Sequence, residues 1–165
     1  MLNYDLVTST ARYRLPTRDD LPALFRLAGE CALERSAEKQ GAVDQIMRTV
    51  KQLSKRPDRG SIFLFERNED LVGYCVLVTC WSNLHGGEVL RIDELYVERR
   101  HRDEGLVEDF LRLLGQVAPK GTSAILFDAS ARDRKTTAFC ADAGFEGRES
   151  RIMIKRIGDD APPNA

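Results

Sequence analysis

The sequence has only two histidines, His85 and His101, and none of its four cysteines, Cys31, Cys75, Cys80 and Cys140, belongs to a CxxC pair. Neither histidine stands at metal-ligand spacing from a cysteine, so no metal site is expected. All four cysteines fall in apolar or helical runs, as buried free thiols do, which points to a reducing compartment, the cytoplasm. A dominant charge is lacking too: 25 basic residues face 26 acidic ones for a net charge of -1. With no Lys/Arg stripe interleaved with aromatics, neither nucleic acid nor an anionic membrane surface is an expected partner. No apolar run approaches the roughly 18 residues of a membrane helix. Residues 1–10 carry Asp5 and lack the basic-then-apolar order of a signal peptide.

What is present suits one well-buried domain, since 165 residues with 42% hydrophobic content are too few for two ordinary domains and a linker. That domain is expected over 1–157, followed by a disordered tail over 158–165 that holds two prolines and two aspartates. Residues 13–16 read as a short strand ended by Pro16, and Thr17 offers a helix cap. Leu24, Phe25, Leu27, Ala28, Cys31 and Ala32 recur at helical spacing, predicting a helix from Leu21 that fades near Ser36. Ile46, Val50 and Leu53 mark a second, weaker helix whose polar approach, 37–44, could be a loop. Strands follow at 61–66, 71–81 and 88–97, joined by polar and glycine-containing turns into a meander. Trp81, near the end of the second of these, reads as packing or as the wall of an acceptor pocket.

Leu106, Phe110, Leu113, Leu114 and Val117 then lie on one helix face, stopped by Pro119 and Gly121. The apolar run 123–127 reads as a buried strand, parallel to 88–97 because a helix connects them. Residues 135–143 are predicted as a short helix closed by Gly144, and 150–157 as a last strand. The fold class is α+β in three layers: a central antiparallel meander joined to a parallel pair, the fourth and fifth of six expected strands, with helices on both faces.

That order, with Gly73-Tyr74 in the second meander strand and Ile92-Asp93-Glu94-Leu95-Tyr96-Val97 before a basic loop, resembles the GNAT superfamily of acetyl-CoA-dependent N-acetyltransferases. The Gly86-Gly87 turn and Ala138-Phe139-Cys140 followed by Gly144-Phe145-Glu146 carry the same likeness. The resemblance implies transfer of an acetyl group from acetyl-CoA, with no metal, to a primary amine of a small molecule or peptide. It implies that the backbone of Leu95, Tyr96 and Val97 holds the thioester arm in a gap between two parting parallel strands. The loop Arg102-Asp103-Glu104-Gly105-Leu106-Val107 would receive the pyrophosphate, glycine letting backbone amides approach the anion at a helix start. Asp133 would orient the pantetheine arm. Asp93 or Glu94 would be the base, Asp93 being slightly preferred, and strand alternation would let only one of them face the substrate. Cys140 stands where the family has its tyrosine acid, with Tyr74 and Tyr96 as substitutes.

Departures from the family pattern raise a second reading. Val107 replaces a small residue, Asp103 replaces a common glycine, and 98–109 holds three arginines against five acids. Asp103 and Glu104 could fill the anion's place at the helix start. A GNAT-fold binding or regulatory module that has lost acetyl-CoA is the alternative. Acids near the cleft suit a cationic amine, and exposed sheet edges leave room for a homodimer.

Overall fold

The computed structural model describes residues 5–35, 38–128, 138 and 140–147. Within them, one sheet holds six strands in sequence order: β1 (Asp5–Val7), β2 (Arg12–Arg14), β3 (Gly60–Arg67), β4 (Asp70–Ser82), β5 (Gly87–Val97) and β6 (Thr122–Phe127). Neighbours are antiparallel except β5 and β6, which run parallel as the helical crossover requires. The helices are α1 (Leu21–Glu34), α2 (Lys39–Lys55) and α3 (Leu106–Val117). None of the described helices is long and apolar enough to cross a membrane.

The apolar run of β3 is continuous because both faces are covered. Phe63 and Phe65 point to one core with Tyr13 and the α3 residues Leu106, Phe110 and Leu114. Ile62 and Leu64 point to the other with Leu24, Leu27 and Cys31 of α1 and Ile46 of α2. Period-2 alternation on the strands thus meets two helix faces of period 3.6. In the first core Phe110 contacts three rings, with centroids 5.4 Å from Tyr13, 5.4 Å from Phe63 and 4.9 Å from Phe65. The one polar atom that Tyr13 brings there is satisfied, since its hydroxyl donates to the carbonyl of Leu106 at 2.8 Å.

Four sequence expectations are corrected. Strand β1 was not foreseen, its three residues giving too short an alternation, with only Leu6 buried. Thr17 does not cap α1; Asp20 flanks the helix start, and its carboxylate accepts from the Thr17 amide at 2.7 Å and hydroxyl at 2.8 Å. The polar approach to the second helix is itself helical from Lys39, where good helix formers and a Gln40 to Asp44 side-chain bond of 2.9 Å extend the element. Cys80 is exposed and Trp81 is 67% exposed, so neither packs in a core; the far end of β4 bears side chains that no described helix covers. The predicted last strand 150–157 and the tail 158–165 lie outside the described residues, as does the start of the predicted helix 135–143. Residues 140–142 are helical, and Gly144 follows with a φ of 85°.

Arg14 fixes the β2 to α1 corner by bonding Asp20 at 2.7 Å and Glu66 at 2.6 Å, both acids being largely sheltered. The Arg14 guanidinium, with the Thr17 donors, holds the Asp20 carboxyl far below the usual carboxylate range. Its contribution to stability is therefore complete above the ordinary aspartate value and is lost as pH falls toward the lower folded value. Acid unfolding followed by circular dichroism is expected to show this loss below about pH 4. Asp20→Asn should be less stable at neutral pH and show a shallower acid limb; an unaltered limb would count against this corner.

Candidate active site

Strand β5 is paired along its whole length with β4 but only in part with β6. The parallel ladder runs from Glu88 with Thr122 to Ile92 with Phe127, and β6 ends there. From Asp93 to Val97, β5 has no strand partner on that side among the described residues. A backbone edge with free amide and carbonyl groups in mid-sheet is costly unless something else bonds to it.

The same stretch carries a bulge. Val76 pairs with Glu94 and Leu77 with Ile92, which leaves Asp93 as the extra residue. The bulge resets alternation: Ile92 joins the α3 core with Leu95 and Val97, while Tyr96 belongs to the α1 and α2 core. Glu94 also meets α1 through Cys31 and Arg35. Asp93 lines a hollow with Val76 and residues of α2. Simple alternation separated Asp93 from Glu94; the bulge turns both toward the two N-terminal helices.

Glu94 is the hub of that side. It accepts from the Tyr74 hydroxyl at 2.8 Å and from Arg35 at 3.1 Å, and the Cys31 thiol approaches it at 3.8 Å. Burial, then the nearby Glu94 charge, pushes both the Tyr74 hydroxyl and the Cys31 thiol up, so both keep their protons at neutral pH. One turn along α1, Glu34 accepts from the Tyr96 hydroxyl at 3.2 Å and from Arg102 at 2.6 Å. Burial, followed by the Glu34 charge, pushes Tyr96 up to about 12. Arg102 also donates to the Val97 carbonyl at 2.9 Å and lies 5.6 Å from the centre of the Tyr96 ring.

The loop after β5 is less acidic than its sequence. Glu98, buried, is held by Arg26 at 2.6 Å and Arg100 at 2.8 Å. Glu104 is taken by Arg67 at 2.8 Å and His101 at 3.1 Å, and Asp109 by Arg112 at 2.8 Å. Arg26, Arg67 and Arg112 all lie outside 98–109, and together they pair with three of its five acids. At the start of α3, Gly105 adopts a φ of 74°, which favours glycine, and as the N-cap residue it brings no side chain to the first amides. A Cβ on Gly105 would meet nothing within 4 Å. Of Asp103 and Glu104, the two acids expected at the anion's place there, Glu104 is bonded to Arg67 and His101. Leu106 is buried in the core and Val107 packs partly against it, so the larger residue at 107 faces the protein interior.

Cys140 is buried at 8% exposure, whereas Asp133 lies outside the described residues. Sequence reasoning did not single out Cys31, Glu34, Arg35, Arg26 or Arg67. The first three are spaced for one face of α1, but that pattern alone reads as an ordinary amphipathic helix. Among the described residues no group of three His, Cys, Asp or Glu side chains could hold a metal ion.

Residues 21–145 match the Acetyltransferase (GNAT) family. Among solved structures, an integron cassette protein from the mobile metagenome of Cole Harbour Salt Marsh is 28% identical, with a TM-score of 0.70 over 92% of this chain and 91% of that one. Glucosamine-6-phosphate N-acetyltransferase from Arabidopsis thaliana is 17% identical, with a TM-score of 0.67 over 91% of this chain and 100% of the other. Ribosomal-protein-alanine N-acetyltransferase from Brucella melitensis biovar Abortus 2308 is 15% identical, with a TM-score of 0.64 over 90% and 99%. Likeness at the last two levels speaks for the fold alone. No curated protein matches the sequence significantly.

Proposed function

Since this chain belongs to the GNAT acetyltransferase family, we propose that it moves an acetyl group from acetyl-CoA to a primary amine of a small molecule or peptide. The observation that carries this reading is the end of the β5–β6 ladder at Ile92 and Phe127, just before the stretch of β5 that has no strand partner on that side among the described residues. Acetyl-CoA, when bound, supplies the activated acyl group. The residues fit it: because the Glu98 amide donates across to the Val72 carbonyl of β4, alternation turns the backbone groups of Leu95 and Val97 to the open side of β5, and Val97 shares its carbonyl with Arg102. The start of α3, with open space beside Gly105, suits a pyrophosphate through the amides of its first turn and the positive end of the helix dipole.

Glu94 takes the ammonium proton of the acceptor on its carboxylate. Tyr74 and Arg35 orient that carboxylate, and Asp93 lies beside it in the bulge. A base held this way removes the need to reorient in the transition state. Tyr96 or Cys140 supplies the acid half of the exchange, the Tyr96 hydroxyl keeping its proton at neutral pH.

Calorimetric titration with acetyl-CoA tests the reading. Saturable binding is expected, with a stabilisation of about 2.7 kcal/mol at 100 times the dissociation constant. Gly105→Val, which fills the open space, should weaken binding roughly tenfold, a loss of about 1.4 kcal/mol, measured at a temperature where the variant is folded. Wild-type protein that takes up no acetyl-CoA at millimolar concentration would instead favour a non-catalytic module.

A further inference from the structure

The hollow beside Asp93 has a charge pattern that the overall composition hides. It encloses about 830 Å³, within the range of small-molecule sites, and lies between α2, β4 and the bulge of β5. Its α2 side presents Arg48, Lys51 and Lys55, with Arg59 just beyond the helix. Its β5 side presents one acid, Asp93, and its floor is Val76, Val78 and Thr79 of β4. Four cations therefore face one carboxylate in a protein whose net charge is -1.

These cations lack the pairing found elsewhere. Arg14, Arg26, Arg67 and Arg102 each sit on a carboxylate. Among the described residues, none of Arg48, Lys51, Lys55 and Arg59 forms a salt bridge; the nearest acids in sequence are bonded elsewhere, Asp44 to Gln40 at 2.9 Å and Asp58 to Arg56 at 2.7 Å. Three like charges spaced by three and four along one helix face oppose helix formation rather than support it. Their convergence over an apolar floor is explained by a ligand that brings negative charge.

We propose that this hollow binds an oxyanion of the acceptor, a phosphate or a carboxylate, so that the acceptor is a small zwitterion: an amine at one end and an anion at the other. The inference rests on the acetyltransferase reading and sharpens it. Asp93 and the neighbouring Glu94 hold the ammonium end, and the α2 cations hold the opposite end. Guanidinium and ammonium donors bond both oxyanions, guanidinium in paired fashion. The expectation of a cationic amine, drawn from the acids near the cleft, is thereby extended: the sequence shows those acids together, whereas the cations arrive from a helix some forty residues earlier.

The test has two arms on the full chain. In the first, inorganic phosphate is titrated and followed by amide chemical shifts. Saturable shifts are expected at Arg48, Lys51, Lys55 and Arg59, and are expected to vanish in the Arg48→Glu, Lys51→Glu double variant. In the second, kcat/KM is compared within matched pairs in the presence of acetyl-CoA: ethanolamine with O-phosphoethanolamine, propylamine with β-alanine, and hexylamine with 6-aminohexanoate. The anionic member of at least one pair should be preferred roughly tenfold or more, and the double variant should bring that ratio to one or below. The preferred pair distinguishes phosphate from carboxylate. Ratios at or below one in the wild type, or phosphate shifts that are absent or survive the double variant, overturn the proposal. If no amine is acetylated while phosphate still saturates the α2 signals, the acetyltransferase reading fails and the oxyanion site stands.

Discussion

Glu94→Gln is expected to lower kcat by about 10²–10⁴-fold, the usual contribution of a positioned general base, while the affinity for acetyl-CoA stays as it was. The amide keeps the size of the side chain and can still accept from Tyr74, so the change isolates proton acceptance from packing. Arg35 and Tyr74 fix the carboxylate from two sides, 3.1 and 2.8 Å away. Asp93→Asn should cost less turnover, since Asp93 is exposed and has the α2 cations opposite it. Steady-state kinetics over a pH series separates the two. Full activity in Glu94→Gln, or a far greater loss in Asp93→Asn, would move the base to the neighbouring residue.

Phe110→Ala should destabilise the protein by about 3–5 kcal/mol, as truncation of a fully buried aromatic does. Phe110 is wholly buried and joins α3 to the rings of Tyr13, Phe63 and Phe65. Those neighbours are themselves closely packed and cannot collapse into the space, so a cavity remains. A domain with only about 5–15 kcal/mol in hand would lose a large share of it, and the urea midpoint would fall with no change in slope. Phe110→Leu should cost markedly less, because most of the volume is kept. A loss below about 1 kcal/mol in Phe110→Ala would mean that α3 docks by other contacts.

The meander, the parallel crossover and three helices were legible because their signals are local: alternation in 71–81, helical spacing in 106–117, and glycine or proline at the ends. Strand β1 was too short to leave such a signal. The bulge at Asp93 was invisible for another reason, since one extra residue in a strand does not alter its composition, only the face that each later side chain takes. It is why Ile92 and Glu94 part company although they stand two positions apart. Electrostatics was the least legible level. A local sum over 98–109 suggested a loop hostile to phosphate, yet Arg26 and Arg67 reach Glu98 and Glu104 from α1 and β3. The α2 cations escaped notice because each alone reads as a solvated helix face, and only the packing of α2 over β4 gathers them beside β5.

The end of helix α1, with its cap residue Arg35, enters both halves of the proposed site within five residues. Cys31 and Arg35 touch Glu94, and between them Glu34 touches Tyr96 and Arg102. A single rigid turn thus spans the donor side and the acceptor side like the yoke of a balance. Sequence drift in this segment is constrained from two directions at once: one added or deleted residue there would rotate Glu34 and Arg35 by about 100° and unseat both partners together. Length variation between relatives should therefore collect after Arg35, in the link to α2, and spare the turn itself.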